Sequence, residues 1–361
     1  MINKNFYEQA KELANERNIT VEDVYEIFKK SLVNSYKKTY GNSSCKVILN
    51  PEKNEILLYG LKKVVEEFTE NPSADDIEEI LLEDAKKIKS SAKVGDILEQ
   101  NINFKNFGRT AVQASKNICV QDVRTKQREN AYEYFKQLEG EMITATVTNI
   151  TEKFITLDMG YNTSTTMPKG ELLPSDHPRI NDRIKVFLRR VELTNADPKL
   201  NVSRTDRNLL NRLLENYIPE IKDGTILIKG IARDPGDRCK IAVESTNPNV
   251  DPIGSCVGEG GQRIKEIVNA LGGEKVDLYR YSDDPEELIT NSLQPASVTK
   301  ILSVDLENKT SVVVVPDNQL SLAIGKSGQN VRLAVQSSGW KIDIMPTSEA
   351  YDKGLILNFG K

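Results

Sequence analysis

The sequence predicts a multidomain α+β protein. An N-terminal α/β domain with a long connecting helix precedes a small β-barrel and two tandem copies of one helix–strand module. Three observations predict this. A proline-free helical pattern runs from Arg109 to Leu138, short alternating runs parted by Gly and Pro fill 138–205, and an internal repeat recurs at an offset of 67 residues. The 361 residues are 38% hydrophobic and 28% charged, which is material for several cores. At roughly 100–200 residues per domain, the length implies two to four domains. No stretch approaches the ~18 apolar residues of a membrane helix. Met1–Glu8 turns polar too soon for a signal peptide, so a cytoplasmic protein with no membrane partner is expected.

Cys45, Cys119, Cys239 and Cys256 form no C-x-x-C pair and read as free thiols in a reducing compartment. A single histidine, His177, removes most His-based catalysis, and no metal or cofactor is expected. The 49 Lys+Arg against 53 Asp+Glu give a net charge of −4, which taken alone argues against a nucleic-acid partner. By segment the counts are 22 basic and 22 acidic over 1–137, 9 and 9 over 138–205, 11 and 14 over 206–284, and 7 and 8 over 285–361. Any RNA-binding surface must therefore come from local arrangement.

In the first segment, 4–17 and 21–40 read as amphipathic helices. Thr20 and Asp23 have capping-box spacing, and Gly41 supplies a stop. Cys45–Leu49 and Glu55–Tyr59 flank the turn Pro51-Glu52-Lys53-Asn54 as a hairpin. Asn71-Pro72-Ser73 reads as a loop and Ile97–Phe104 as a strand. The pattern from Arg109 to Leu138 is either one helix of ~30 residues, ~45 Å long at 1.5 Å per residue, or two shorter helices. Nothing in this segment has catalytic spacing, and it reads as a docking domain.

Over 138–205 the runs Met142–Val147, Phe154–Asp158, Arg183–Val191 and Leu200–Ser203 suggest a five-stranded OB-type barrel. Alternation turns Ile184, Val186 and Leu188 inward. Arg183, Lys185, Phe187 and Arg189 then point outward, where a ring between cations suits base stacking and phosphate contact. The alternative is that Phe187 covers a barrel end and the cations form a solvated face. Phe154, and less strongly Tyr161, are further candidate rings.

The repeat pairs Gly258-Glu259-Gly260-Gly261-Gln262 with Gly325-Lys326-Ser327-Gly328-Gln329, Ile264 with Val331, Val268 with Val335, and Gly272 with Gly339. A short helical pattern precedes each glycine pair, Ile253–Val257 and Leu320–Ile324, and a hairpin precedes each of those, at 226–243 and 301–315. The order helix–strand–strand–helix–GxxG–helix–strand is that of a type II KH domain. Two glycines bracketing two residues let a sugar-phosphate backbone approach, and the next helix turns its free N–H groups toward phosphate. The candidate RNA-binding residues are Gly258, Gly261 and Lys265 in the first module. In the second they are Gly325, Lys326, Ser327, Gly328, Gln329 and Arg332. Replacing Gly325 and Gly328 by Asp is expected to abolish most RNA binding without unfolding the chain. Gly325-Lys326-Ser327 is not a P-loop, because Leu320 stands where that motif needs glycine.

The whole pattern resembles a known family. Phe107-Gly108-Arg109 opens the long helix, an S1-type OB-fold barrel ends in Leu200-Asn201-Val202-Ser203-Arg204-Thr205, and Asp234–Val243 and Asn247–Ile253 resemble the family's first KH module. The runs Asp317–Gly325, Gln329–Ala334 and Gly339–Asp343 are the most specific. Over about residues 1–346 the chain resembles the NusA family of bacterial transcription elongation, termination and antitermination factors. The resemblance implies an N-terminal RNA polymerase-binding domain at 1–137, an S1-type domain at 138–205, KH domains at 206–284 and 285–349, and a short tail at 350–361. It implies core RNA polymerase and nascent single-stranded RNA as partners, with other Nus-type elongation factors beside them. It also implies modulation of pausing, intrinsic termination and antitermination by a monomer that is not an enzyme. Glu259-Gly260 stands where the family has Pro-Arg, which puts the first loop's phosphate grip in question. The chain ends shortly after the second KH module, without the acidic C-terminal repeats of some relatives. The competing readings are a KH/S1-type factor in ribosome assembly or RNA turnover. In phosphorolytic exonucleases, however, KH precedes S1 and both follow large catalytic domains.

Overall fold

The structure, a computed structural model, describes residues 6–41, 44–69, 77–103, 106–194 and 197–355. The chain divides into two compact units. One comprises Met1–Gln137 with Tyr161–Thr163 and Leu193–Pro198, and the other holds the rest.

In the first unit, α1 (Phe6–Arg17) and α2 (Val21–Tyr40) are the two expected helices. Thr20 Oγ1 accepts from the Asp23 N–H at 3.0 Å and the Asp23 carboxylate accepts from the Thr20 N–H at 3.2 Å, completing the capping box with the shorter acid. Gly41 ends α2 in the left-handed conformation, φ 84°. β1 (Cys45–Asn50) and β2 (Glu55–Val65) form the hairpin, and β3 (Glu78–Leu81) adds to β2 in parallel. After α3 (Leu82–Ile88), β4 (Ile97–Asn101) pairs antiparallel with β2. Neither β3 nor α3 was legible, because Glu78-Glu79-Ile80-Leu81 has no alternation. The expected loop at Asn71-Pro72-Ser73 and the end of the expected strand at Phe104 lie outside the described residues. α4 (Arg109–Gln137) is one continuous helix of 29 residues, so the single-helix reading holds. It packs on α2, with Val123 buried among Ala10, Ala14, Ile19 and Val24, and Ser35 Oγ donates to Ser115 Oγ at 2.6 Å. An apolar groove of about 500 Å³ between these helices is lined by Phe28, Leu32, Val112 and Val120 among others.

The second unit opens with β5 (Met142–Ile150), β6 (Phe154–Asp158), β7 (Ser164–Pro168), β8 (Arg183–Glu192) and β9 (Lys199–Ser203). Their order is β7-β6-β5-β8-β9, all antiparallel. The edge strands meet where Thr165 Oγ1 donates to Leu200 O at 2.7 Å, which nearly closes an S1/OB-type barrel around Val147, Ile155, Leu157, Val186 and Leu188.

The first KH module follows as α5 (Arg207–Tyr217), α6 (Pro219–Lys222), β10 (Ile226–Asp234), β11 (Arg238–Ser245), α7 (Pro252–Val257), α8 (Gln262–Ala270) and β12 (Lys275–Arg280). The second is α9 (Pro285–Ser292), β13 (Lys300–Asp305), β14 (Thr310–Val315), α10 (Leu320–Ile324), α11 (Gln329–Ser338) and β15 (Lys341–Pro346), and α12 (Thr347–Asp352) follows it. In each module the hairpin is antiparallel and the last strand joins its middle strand in parallel.

The barrel and the first KH module share a core. Leu173 and Phe187 from the barrel pack with Leu209, Leu210, Leu213 and Leu214 of α5. The second module covers the face of β10–β12 opposite that core, so Ala242 and Tyr279 belong to its cluster with Ile289, Val313 and Trp340. α11 crosses β10 so closely that a Cβ on Gly230 would lie 1.9 Å from Ser337 O, and only glycine permits the crossing. On the second module's own sheet, α12 packs against β14 and β15, burying Ala350 completely.

Candidate nucleic-acid interface

The two GxxG loops share one backbone. Gly258 and Gly325 end their helices at φ 73°, ψ 174° and φ 78°, ψ 171°, each N–H reaching back 2.9 Å to Gly254 O and Ser321 O. Gly260 and Ser327 follow at φ 58° and 52°, then Gly261 and Gly328 at φ 75° in both. Ser327 thus holds a left-handed conformation that a residue with a Cβ adopts at a cost, and such strain is kept where it serves a site. The result is a sharp knuckle ahead of α8 and α11, with 259, 260, 326 and 327 exposed.

The glycines have two different reasons for being glycine. A Cβ on Gly325 would meet Asn330 N at 2.7 Å, and one on Gly258 would meet Arg263 Cγ at 2.7 Å. Gly261 and Gly328 have nothing within 4 Å of that position, so their space is open to a ligand. Replacing Gly325 by Asp would therefore strain the knuckle itself. That corrects the expectation that the Gly325 and Gly328 substitutions spare the fold.

Lys326 and Lys265 are exposed and make no hydrogen bond or ion pair with the described residues, leaving both ammonium groups available to phosphate. Leu322 and Ile324 of α10 are exposed beside the second loop, at 46% and 37%. The first module has Ser255 and Val257 at those places. Its Arg263 is spent internally, donating to Glu220 Oε2 at 2.8 Å and Ser255 O at 2.7 Å.

Three residues proposed as an exposed platform on β8 are not one. Alternation placed Phe187 correctly outside the barrel, but α5 covers that side and leaves the ring 5% exposed within the shared core. Lys185 Nζ donates to Tyr217 OH at 2.7 Å and lies 4.6 Å from the centre of that ring. Arg189 is held by Asp206 at 2.6 Å and Glu171 at 2.8 Å. Burial works against ionisation of Glu171, but hydrogen bonds from Ser203, Thr205 and Arg189 outweigh it and hold the carboxyl below its usual range. Of that face Arg183 is exposed without a partner among the described residues, whereas Arg189 is exposed but held by its two carboxylates. Phe154 on β6 is 45% exposed, with Lys153 and Lys169 exposed near it. Tyr161 belongs to the first unit, where it stacks on Tyr134 at 4.5 Å and 4°.

Gln329 and Arg332 also have partners. Gln329 Nε2 donates to Asp234 Oδ2 at 3.0 Å and Asp237 Oδ2 at 2.7 Å, and Arg332 pairs with Asp234. These two aspartates form the β10–β11 turn of the first module, so α11 is tied to its neighbour at its first turn. Below the turn lies a buried pair: Arg233 meets Glu274 at 2.9 Å, with both side chains essentially sealed, and Gly236 N donates to Glu274 Oε2 at 2.9 Å. On the barrel side, Pro174 approaches so closely that a Cβ on Gly236 would lie 2.5 Å from its Cδ. Sequence reasoning missed this junction, as it missed Arg204, which holds Asp176 at 2.6 Å and donates to Lys185 O and Ala270 O. The one available signal was an Asp-Pro-Gly-Asp turn with two carboxylates, whose flanking Arg233 and Arg238 are taken by Glu274 and Asp277.

Known families match the same stretches. Residues 5–129 match the NusA N-terminal domain, 204–281 the NusA-like first KH domain and 285–352 the NusA-like second KH domain. The transcription termination/antitermination protein NusA of Halalkalibacterium halodurans is 41% identical over 356 residues, covering 98% of this chain and 91% of that one. The chain belongs to the NusA family. The NusA of Bacillus subtilis is 41% identical over 344 residues, covering 95% of this chain and 91% of its own length. That of Thermus thermophilus is 38% identical over 355 residues, covering 94% and 89%. Among the described residues no helix is long and apolar enough to cross a membrane, and no group of three or more His, Cys, Asp or Glu is placed to hold a metal ion.

Proposed function

We propose that this chain regulates transcription by binding, not catalysis: it docks on RNA polymerase through its N-terminal domain and holds emerging single-stranded RNA on its barrel and KH modules. In doing so it modulates pausing, intrinsic termination and antitermination. The observation that carries the reading is the pair of matching knuckles, each opening a helix and each leaving open space beside its last glycine, Gly261 or Gly328. The second module is the stronger grip. Gly325, Lys326, Ser327 and Gly328 would hold phosphate, while Leu322 and Ile324 offer an apolar floor to bases. Gly258, Gly261 and Lys265 form the first module's weaker counterpart, since Glu259 repels phosphate. Phe154 with Lys153 and Lys169, and Arg183, would extend the track on the barrel. Linking weak modules on one chain makes each later contact intramolecular and raises the overall affinity.

The test changes the two bracketed residues and spares the glycines. Lys326→Asp with Ser327→Asp places two negative charges where phosphate would sit, and Asp tolerates the left-handed conformation at 327. RNA affinity should fall more than tenfold, and the effect on a hairpin pause template should fall with it. Unchanged RNA affinity, or no co-purification of the parent chain with core polymerase, would overturn the reading.

A further inference from the structure

The aspartates of the first module's turn raise a question that RNA contact alone does not answer. Gln329 and Arg332 stand one and four residues beyond the second phosphate loop, yet both are bonded to Asp234 and Asp237 of the neighbouring module. α11 also packs along β10 and β11, and its other hydrogen-bonded attachment to the first module is at its far end. There Ser337 O abuts Gly230, and Tyr279 OH donates to Ser337 Oγ at 2.9 Å. Five to eight residues separate the two attachments, ~8–12 Å along the helix axis. A helix held at one end can swing about that point; held at both ends it cannot. The loop at 325–328 sits at the end fixed by the aspartates, where any swing would be largest.

We propose that Asp234 and Asp237 are positioning residues: through Gln329 and Arg332 they set the angle of the second phosphate loop to the first module, so that one RNA strand can meet both loops at once. This rests on the RNA-binding reading above and reassigns Gln329 and Arg332 from phosphate contact to brace. The turn is suited to the role because it is itself immobilised, by the buried Arg233–Glu274 pair beneath it and by Pro174 of the barrel beside it.

The sign of the effect separates the brace from electrostatics. Removing two carboxylates near an RNA track strengthens binding if they only repel phosphate. Loosening a brace weakens binding, and only for an RNA long enough to span both modules, because the effective concentration of the second loop falls. The experiment titrates the full chain and Asp234→Asn/Asp237→Asn with a labelled single-stranded RNA of about 12 nucleotides and with one of about 4, the length that engages a single module. The brace predicts a roughly five- to tenfold loss for the long RNA and a change under twofold for the short one. Arg332→Ala, at an exposed position that should leave folding intact, should give the same selective loss. It should add nothing to the aspartate variant and leave the salt dependence of binding unchanged. Tighter binding of either RNA, equal losses for both, or a salt slope lower by about 0.7 in Arg332→Ala would overturn the brace, the last by making Arg332 a phosphate contact. If the parent chain binds neither RNA, the RNA-binding reading falls and the brace with it.

Discussion

Phe187 gives the sharpest contrast between a role in RNA contact and a role in holding the modules together. Truncation to Ala removes a ring that is 5% exposed and packed among the α5 leucines, so a cavity opens where barrel and first KH module meet. Buried Phe→Ala changes cost about 3–5 kcal/mol. For a unit of this size each kcal/mol lowers the melting temperature by about 2–4 °C, so a drop of roughly 6–20 °C is expected. The assay is thermal unfolding followed by RNA titration well below the transition, where affinity should stay within about twofold of the parent. Phe154→Ala should show the reverse. Its ring is 45% exposed, so the melting temperature should hardly move, while loss of a stacking partner should cost about 1–3 kcal/mol of binding. If Phe187→Ala left the melting temperature unchanged and weakened RNA binding, the burial argument for β8 would be refuted.

Other consequences are as direct. Gly230→Ala drives a Cβ into Ser337 O and should destabilise the seam between the KH modules by several kcal/mol, read by denaturant unfolding. Glu274→Gln leaves Arg233 charged, buried and without its carboxylate, and should cost about 3–5 kcal/mol by the same measurement. Lys240 is sealed between the modules, donating to Ser292 O at 2.8 Å and Gln294 O at 2.7 Å, and burial pushes its ammonium down to about 8. The unfolded chain then binds the extra proton between about pH 8 and 10.5, so this group's contribution to stability rises with pH across that window, by up to ~3 kcal/mol. The parent should gain on Lys240→Met in melting temperature as pH rises from 7.5 to 10, and a constant difference would refute the assignment. Glu259→Arg should tighten RNA binding by restoring a cation to the first loop, as filter binding would show.

Much of this architecture was legible because local chemistry and tertiary packing agree. Thr20 and Asp23 announced the start of α2, Gly41 its end, and the two GxxG loops were readable because each needs glycine at fixed offsets. Alternation along β8 assigned the inward and outward faces correctly, yet it could not say that α5 would cover the outward one. Lys240 meets the same limit. Cys239, Ile241 and Val243 define one apolar face of β11, and a lysine on the other reads as solvated until a second module docks over it. Asp234 and Asp237 found their partners, Gln329 and Arg332, more than ninety residues away. Period and spacing describe an element's own surface and are blind to what lands on it.

The seam between the KH modules joins unlike surfaces: helices of one on the open sheet face of the other. A contact of that kind has no built-in end, because the second module's sheet offers a third unit the same kind of landing surface that the first offers the second. α12, only six residues long, packs on β14 and β15 and buries Ala350, while α5 at the opposite extreme is sealed beneath the barrel. Among the described residues the tandem thus carries a helix at each extremity. Removing α12 would bare more of β14 and β15, and any tendency of the sheet to receive the helices of a second copy would then show as self-association.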